Sequence, residues 1–191
     1  HGGPGPGASP ANFIGFTVGD VLKRSSPDSK VVSVSIKDDA AILMAGRSPD
    51  GAYWYDERLG KFVTSTYYTD EAPEWLADWN RERGADSYAG REWTRLLDDD
   101  SIYESHAGPD EAPGEWRDSV FPHRFPENGS QVNGSEENES KQAFYAELGQ
   151  MPFADEMTLD VSLEAMTAHE LGADAYTDIL AISFSGPDRA G

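Results

Sequence analysis

The chain has 191 residues, 38% of them apolar, and a formal net charge of −20 that arises from 35 acidic and 15 basic residues. This length suits one domain or a large part of one, and 21 aromatic residues (five Trp, eight Tyr and eight Phe) supply apolar surface for a core. A chain with this much negative charge repels phosphate backbones and anionic lipid. Neither nucleic acid nor a membrane surface is therefore an expected partner. The absence of cysteine excludes disulfides, thiolate zinc sites and a cysteine nucleophile.

The first third of the chain predicts a short helix, a strand and a hairpin. Residues 1–11 are rich in Gly and Pro and predict an extended entry segment, whereas 17–23 predict a helix. The β-branched run 30–36 predicts a strand. Over 51–68, two aromatic and β-branched runs flank a turn that contains Gly60, and this pattern predicts a hairpin.

The middle of the chain predicts one helix and two irregular segments. Residues 73–83 predict a helix with Pro73 in its first turn. Residues 98–124 carry many Asp, Glu, Pro and Trp without a clear period, which indicates a long irregular surface segment. Residues 127–142 are polar and low in complexity, and we expect them to form a mobile loop.

Regular structure is predicted again towards the C-terminus. Residues 155–171 predict a helix, and the nearly all-apolar run 178–184 predicts a strand buried on both faces of a parallel sheet. This order of elements predicts an α/β fold with a parallel-sheet core, to which strands 30–36 and 178–184 belong. We expect residues from about 45 to 150 to form an inserted, cap-like lobe that carries the antiparallel hairpin outside the core sheet.

Standard catalytic and binding motifs fail on inspection. His169 begins a segment like the zinc motif H-E-x-x-H, but Ala173 stands where the second His belongs, so His169 is predicted to be a helix-surface residue. Lys61 follows a glycine but precedes Phe62, so the P-loop pattern is not met. No G-x-S-x-G stretch is present.

Two charged residues follow the predicted core strands. Lys37 comes directly after strand 30–36, and Asp188 follows strand 178–184 after Ser-Gly-Pro. Ligand sites of parallel α/β sheets lie beyond the carboxyl ends of the strands, so we expect both residues at one edge, on the order of 10 Å apart. A cation and a carboxylate there fit metal-assisted phosphate chemistry, although most Lys and Asp residues at strand ends are ordinary turn residues and spacing alone favours that interpretation.

The segment around Lys37 resembles a known family. Residues 32–43 (VSVSIKDDAAIL), 45–47 (AGR) and 52–56 (AYWYD) resemble the type I phosphodiesterase and nucleotide pyrophosphatase branch of the alkaline phosphatase superfamily. They are most similar to its secreted, calcium-independent bacterial alkaline phosphatases, which read S-[LI]-K-D-R-A-A-I-L, A-G-H and A-Y-W-Y-D. Further stretches resemble the family in the same order at 121–123, 152–156, 170–172 and 178–185.

The resemblance implies a phosphate-ester hydrolase that holds two divalent metal ions, zinc in this family, and uses a Thr or Ser nucleophile. It implies that Lys37 contacts the phosphoryl oxygens and that Asp188 is a metal ligand. Asp39 stands where the monoesterases carry Arg, so the bidentate clamp on a dianionic phosphate is missing. The nucleophile and the other ligands are expected in the remainder of a longer parent polypeptide, so we expect no catalytic residue in this chain and no activity from it alone.

The expected partners are therefore the remainder of the parent polypeptide and a small phosphate-ester substrate, either a monoester or a diester, in a periplasmic or secreted setting. Asp39 and Arg47 depart from the family pattern, which has Arg and His at these positions. They keep a second hypothesis open, in which the chain is a non-catalytic, acidic binding lobe of a degenerate homologue.

Overall fold

The structure is a computed structural model that describes residues 7–99, 101–102, 122–127 and 137–186. At its centre lies a four-stranded sheet, whose strands are β1 (Val31–Ser35), β2 (Gly51–Asp56), β3 (Lys61–Val63) and β6 (Ile179–Ser183). Their order is β3-β2-β1-β6. Strand β1 pairs in parallel with both β2 and β6, whereas β3 is antiparallel to β2.

Helices cover the two faces of the sheet. They are α1 (Val18–Ser25), α2 (Asp38–Ala45), α3 (Glu74–Arg83), α4 (Glu137–Leu148) and α5 (Pro152–Ala168). Short 3₁₀ turns lie at Pro10–Asn12 and Ala85–Tyr88, and a two-residue ribbon pairs β4 (Glu92–Trp93) antiparallel with β5 (His123–Arg124).

The alternation of residues in β1 decides which helix packs on which face of the sheet. Val32 and Val34 are fully buried in the main apolar core, together with Val161 of α5. Ser33 points to the other face, where its hydroxyl donates to the Ala41 carbonyl of α2 at 2.6 Å. The small Ser side chain allows α2 to lie close to the sheet, while the valines bury apolar surface beneath α5.

Aromatic residues of β2 and β3 fill much of the main core. Tyr53, Tyr55 and Phe62 are almost fully buried, and the Phe62 ring lies 5.4 Å from that of Trp79 in α3, nearly at right angles. The Tyr55 hydroxyl donates to the Tyr145 carbonyl of α4, so its polar end is satisfied inside the core. Each such ring contributes about 1.5–3 kcal/mol through burial, which fixes the hairpin to the helices.

The structure confirms the α/β class and the parallel pairing of the two predicted core strands, but it corrects the place of the hairpin. We expected residues 51–68 to lie outside the core sheet; instead β2 pairs with β1, from Val32 opposite Gly51 to Ser35 opposite Trp54. The reason is the short crossover through α2, which returns the chain to the start of β1 and lets β2 run beside it. The wider limits of the lobe, about 45–150, stay a prediction.

Strand β6 is also less buried than expected. We predicted burial on both faces, but all five residues of Ile179–Ser183 are only half-buried. The strand lies at one end of the sheet order, so within the described residues it has a strand neighbour on one side only. Phe184, just beyond it, leaves 51% of its surface exposed.

The polar loop in the middle of the chain ends earlier than predicted. The loop expected over 127–142 is shorter, because α4 already begins at Glu137; the remaining residues 128–136 lie outside the described residues. Most of the irregular segment predicted over 98–124 also lies outside them.

Helix α5 begins at Pro152 and ends at Ala168, three residues before the predicted end. The next turn closes it, since the Leu171 N–H donates to the Met166 carbonyl while Glu170 adopts a φ of 52°.

Candidate functional site

The carboxyl ends of β1 and β6 meet at one edge of the sheet, where Ser35 lies opposite Ser183. We call this the carboxyl edge, and it comprises residues 35–39 and 183–186 together with Asp155, which bonds to Gly186. Lys37 stands there as the half-buried residue that precedes α2. Its N–H donates to the Ser35 hydroxyl at 3.0 Å, and its carbonyl accepts from the Ala41 N–H at 3.2 Å. The backbone of Lys37 is thus fixed by both the strand and helix α2, which the sequence analysis did not predict.

Asp39 lies exposed in the first turn of α2. Its Oδ1 accepts from the Ala40 N–H at 2.7 Å, and Asp38 accepts from the Asp39 N–H at 2.8 Å. These carboxylates suit the positive end of the helix dipole, and they occupy N–H groups that a bound anion would otherwise use. Arg47 lies beyond the other end of α2, about 12 Å away for eight residues of helix, so it is not placed to pair with Asp39.

The loop that follows β6 is held against the start of α5. The Gly186 N–H donates to Asp155 Oδ1 at 3.1 Å, and the hydroxyls of Ser183 and Ser185 lie 3.2 Å apart. A Cβ atom on Gly186 would lie 2.6 Å from Asp155 Oδ2, so any other residue there would force the Asp155 carboxylate to shift. Asp155 therefore sets the direction in which the chain leaves β6.

Asp188 comes two residues after Gly186 and lies outside the described residues. Its distance from Lys37 and its role as a metal ligand stay predictions. Within the described ranges, no three His, Asp or Glu side chains are grouped so that they could hold a metal ion. The described residues therefore do not by themselves fit a metal centre.

Sequence reasoning did not single out Asp155. Pro152 at the first position of α5 and an acidic residue in the first turn indicate a helix start. They do not reveal a partner 31 residues further along the chain.

His169, predicted on the helix surface, is half-buried instead. Its Nε2 lies 2.8 Å from the Tyr53 hydroxyl, and its ring lies 6.4 Å from that of Trp75. Burial lowers the pKa of His169. The residue follows the last turn of α5, at the end of the helix opposite Asp155, so it belongs to the packing of the core and not to the carboxyl edge.

The comparisons with known proteins agree with the resemblance seen in the sequence. No protein-family model matches the chain. Alkaline phosphatase PhoV of Synechococcus elongatus is 35% identical over 189 residues, covering 96% of this chain and 32% of the relative. Alkaline phosphatase PafA of Elizabethkingia meningoseptica is 34% identical over 184 residues with the same coverage. The crystal structure of wild-type PafA superimposes with a TM-score of 0.72 at 33% identity, covering 95% of this chain and 34% of that one.

The chain thus spans about a third of the length of the curated relatives that it matches. Within the described part of the chain, none of the helices combines the length and apolar character that crossing a bilayer requires.

Proposed function

We propose that this chain, a segment of the alkaline phosphatase superfamily, forms part of a larger metal-dependent hydrolase of phosphate esters. The proposal is supported by the position of Lys37 after the end of β1, where the parallel strands β1 and β6 finish side by side, in a chain homologous to alkaline phosphatases. Parallel sheets bind ligands at this edge. We place the longer protein in the periplasm or outside the cell.

In this proposal, Lys37 acts as a compact point charge on the phosphoryl oxygens. Asp188 supplies one ligand to a pair of divalent ions, which we propose to be zinc, and the rest of the polypeptide supplies the others together with the nucleophile. When bound, such a pair of ions would activate the attacking oxygen and stabilise the leaving one. Because one carboxylate does not make up the three or four ligands of a zinc site, the chain alone is expected to be inactive.

Asp39 points to a preference among phosphate esters. A monoester carries about two negative charges near neutral pH, whereas a diester carries one. A carboxylate in place of an Arg fork removes two charge-assisted hydrogen bonds and adds a repelling charge. We therefore propose that the longer protein favours diesters, such as those that phosphodiesterases and nucleotide pyrophosphatases cleave, over monoesters.

The test uses the longer protein and measures kcat/KM for an aryl phosphate and for its methyl diester. Lys37→Ala should lower both values by about 10²–10³, the loss typical of one group that stabilises a transition state. The control Lys141→Ala removes an exposed lysine from α4 and should change neither value. Asp39→Arg should raise the monoester value relative to the diester value.

The outcomes separate the parts of the proposal. Equal activity of Lys37→Ala and Lys141→Ala would remove Lys37 from the site. An unchanged monoester-to-diester ratio in Asp39→Arg would show that Asp39 does not set specificity. An inactive longer protein would instead favour the hypothesis of a non-catalytic acidic binding lobe, for which Asp39 and Arg47 are the motivating departures. Zinc-dependent hydrolysis by the 191-residue chain alone, above a metal-only blank, would contradict its dependence on a larger protein.

A further inference from the structure

A cleft of about 380 Å³ opens at the opposite edge of the sheet from Lys37. It is lined by Phe16, Asp20, Lys23, Arg24, Arg47 and Ser48. Its residues come from α1, from Phe16 just before it, and from the link between α2 and β2, at the end where β1 and β2 begin. We call this end the amino edge, and it comprises residues 16–25, 30–31, 46–51 and 170–178. A five-residue strand spans about 15 Å, so the cleft and the carboxyl edge are separate places.

The cleft concentrates positive charge on a strongly acidic chain. Three of its six lining residues are Lys or Arg and one is acidic, although acidic residues outnumber basic ones 35 to 15 in the whole chain. The general field of the protein does not explain such a cluster, because that field repels anions. A local function for these cations is the simpler explanation.

The single carboxylate of the cleft is already engaged by the protein. Asp20 is 4% exposed, and its Oδ1 accepts from the N–H groups of Arg47 and Ser48 at 2.9 and 3.1 Å. Its Oδ2 accepts from the N–H and the hydroxyl of Thr17 at 3.0 and 3.3 Å. Burial would raise the pKa of Asp20, but these hydrogen bonds together hold it below its usual range. The negative charge of Asp20 is therefore directed at the backbone and offsets only part of the basic charge.

Two guanidinium groups remain for a ligand. Lys23 donates to both oxygens of Asp50, at 2.9 and 3.0 Å. Arg24 lies with its guanidinium carbon 3.6 Å above the Phe16 ring, which holds its planar donor group in place. Neither Arg24 nor Arg47 forms a salt bridge with any carboxylate of the described ranges.

We infer that this cleft is an anion site that binds a phosphate group, held by the planar donors of Arg24 and Arg47 and by the Ser48 hydroxyl. The guanidinium group matches two oxygens of a phosphate at once, and the volume suits a small ligand. Inorganic phosphate and the phosphate of a small phosphomonoester share this chemistry. The inference does not depend on the proposed hydrolase, since it concerns the other edge of the sheet.

The test titrates the 191-residue chain with inorganic phosphate at constant ionic strength, and follows the backbone amide resonances of Arg47 and Ser48. We expect saturable binding of one phosphate, with the largest shifts at these two residues. Arg24→Gln and Arg47→Gln should each weaken binding about tenfold, as expected for the loss of one charge-assisted contact. The matched control is Arg81→Gln, which removes the same charge from exposed α3.

Arg81→Gln should bind phosphate within about twofold of the unchanged chain, and the amide shifts at Arg47 and Ser48 distinguish this site from the carboxyl edge. A second titration with glycerol phosphate identifies the ligand: tighter binding than phosphate indicates a phosphomonoester, and equal binding indicates the free ion. Three results would overturn the inference: no saturation, phosphate binding no stronger than chloride, or amide shifts at residues 35–39 of the carboxyl edge with none at Arg47 and Ser48. Circular dichroism of each variant verifies that it folds.

Discussion

The two edges of the sheet use acidic residues differently. At the amino edge, Asp20, Asp50 and Asp178 each accept one or more backbone N–H groups from a neighbouring loop or strand. At the carboxyl edge, Asp155 accepts one such bond, from the loop that follows β6, and Asp39 remains exposed. Part of the large acidic surplus thus fixes the connections at one edge, whereas Asp38 and Asp39 at the other edge accept only from N–H groups next to them in the first turn of α2.

This difference shows that the acidic residues behind the net charge of −20 have different roles in different parts of the molecule. The N–H groups of Gly172 and Lys30 hold the pKa of Asp178 below its usual range, as Thr17, Arg47 and Ser48 do for Asp20 against the effect of burial. We therefore expect the amino edge to determine the stability of the chain in acid.

The largest expected effect compares one carboxylate from each edge. Asp20→Ala removes two hydrogen bonds that join α1 to the link before β2 and two from Thr17 at the start of α1, and it should lower the free energy of unfolding by about 2–4 kcal/mol. Asp155→Ala removes one bond and should cost about 1 kcal/mol. Urea unfolding of the two variants measures the difference. Equal losses would contradict the view that the amino edge is the structural one.

The pH dependence of stability sharpens the same comparison. Because the pKa of Asp20 is lower in the folded than in the unfolded chain, its contribution is complete above pH about 4 and is lost as the pH falls below that value. Asp20→Asn should therefore reduce the loss of unfolding free energy between pH 6 and pH 3, by no more than the roughly 1.3 kcal/mol that one Asp with an unfolded pKa of about 3.9 can contribute there. Asp178→Asn should act in the same direction but less, since that side chain is more exposed and water screens its charge. A profile identical to that of the unchanged chain would exclude Asp20 as a determinant of acid stability.

Local sequence patterns predicted most of the elements that build the two edges. Alternating apolar residues gave β1, and the aromatic runs around Gly60 gave the turn between β2 and β3, in which Gly60 has a φ of 62°. The position of Lys37 at a strand end followed directly from these elements. The pairing of β2 with β1 could not be predicted in this way, because it depends on the path of α2 across the sheet and not on the hairpin itself.

The cleft at the amino edge could not be predicted from the sequence. Phe16, Arg24 and Arg47 lie far apart in the chain and form no motif, and only the packing of α1 against α2 brings them together. Arg47 could be noticed only as a departure from the family pattern. Its position in the cleft depends on Asp20, which accepts from the N–H groups of Arg47 and Ser48, 27 and 28 residues further along the chain.

The smallest expected effect concerns the connection that carries the chain from α5 to the amino edge. Glu170 has a φ of 52°, a left-handed conformation that costs an L-residue about 1 kcal/mol relative to glycine. Its side chain is exposed, and its backbone carbonyl, which accepts from Lys30 Nζ at 3.2 Å, does not depend on the side chain. Glu170→Gly should therefore raise the free energy of unfolding by about 0.5 kcal/mol, because the greater freedom of glycine in the unfolded chain offsets part of the gain.

Gly172 provides the matched control for this exchange. It has a φ of 73°, and a Cβ atom there would meet no other atom within 4 Å. Gly172→Ala therefore introduces backbone strain without a clash and should lower the free energy of unfolding by about 1 kcal/mol. Thermal and urea unfolding of the two variants should show shifts of opposite sign. A loss of stability in Glu170→Gly would mean that the Glu170 side chain, and not its backbone conformation, supports this end of α5, and the amino edge would then rely on one more acidic residue than its hydrogen bonds indicate.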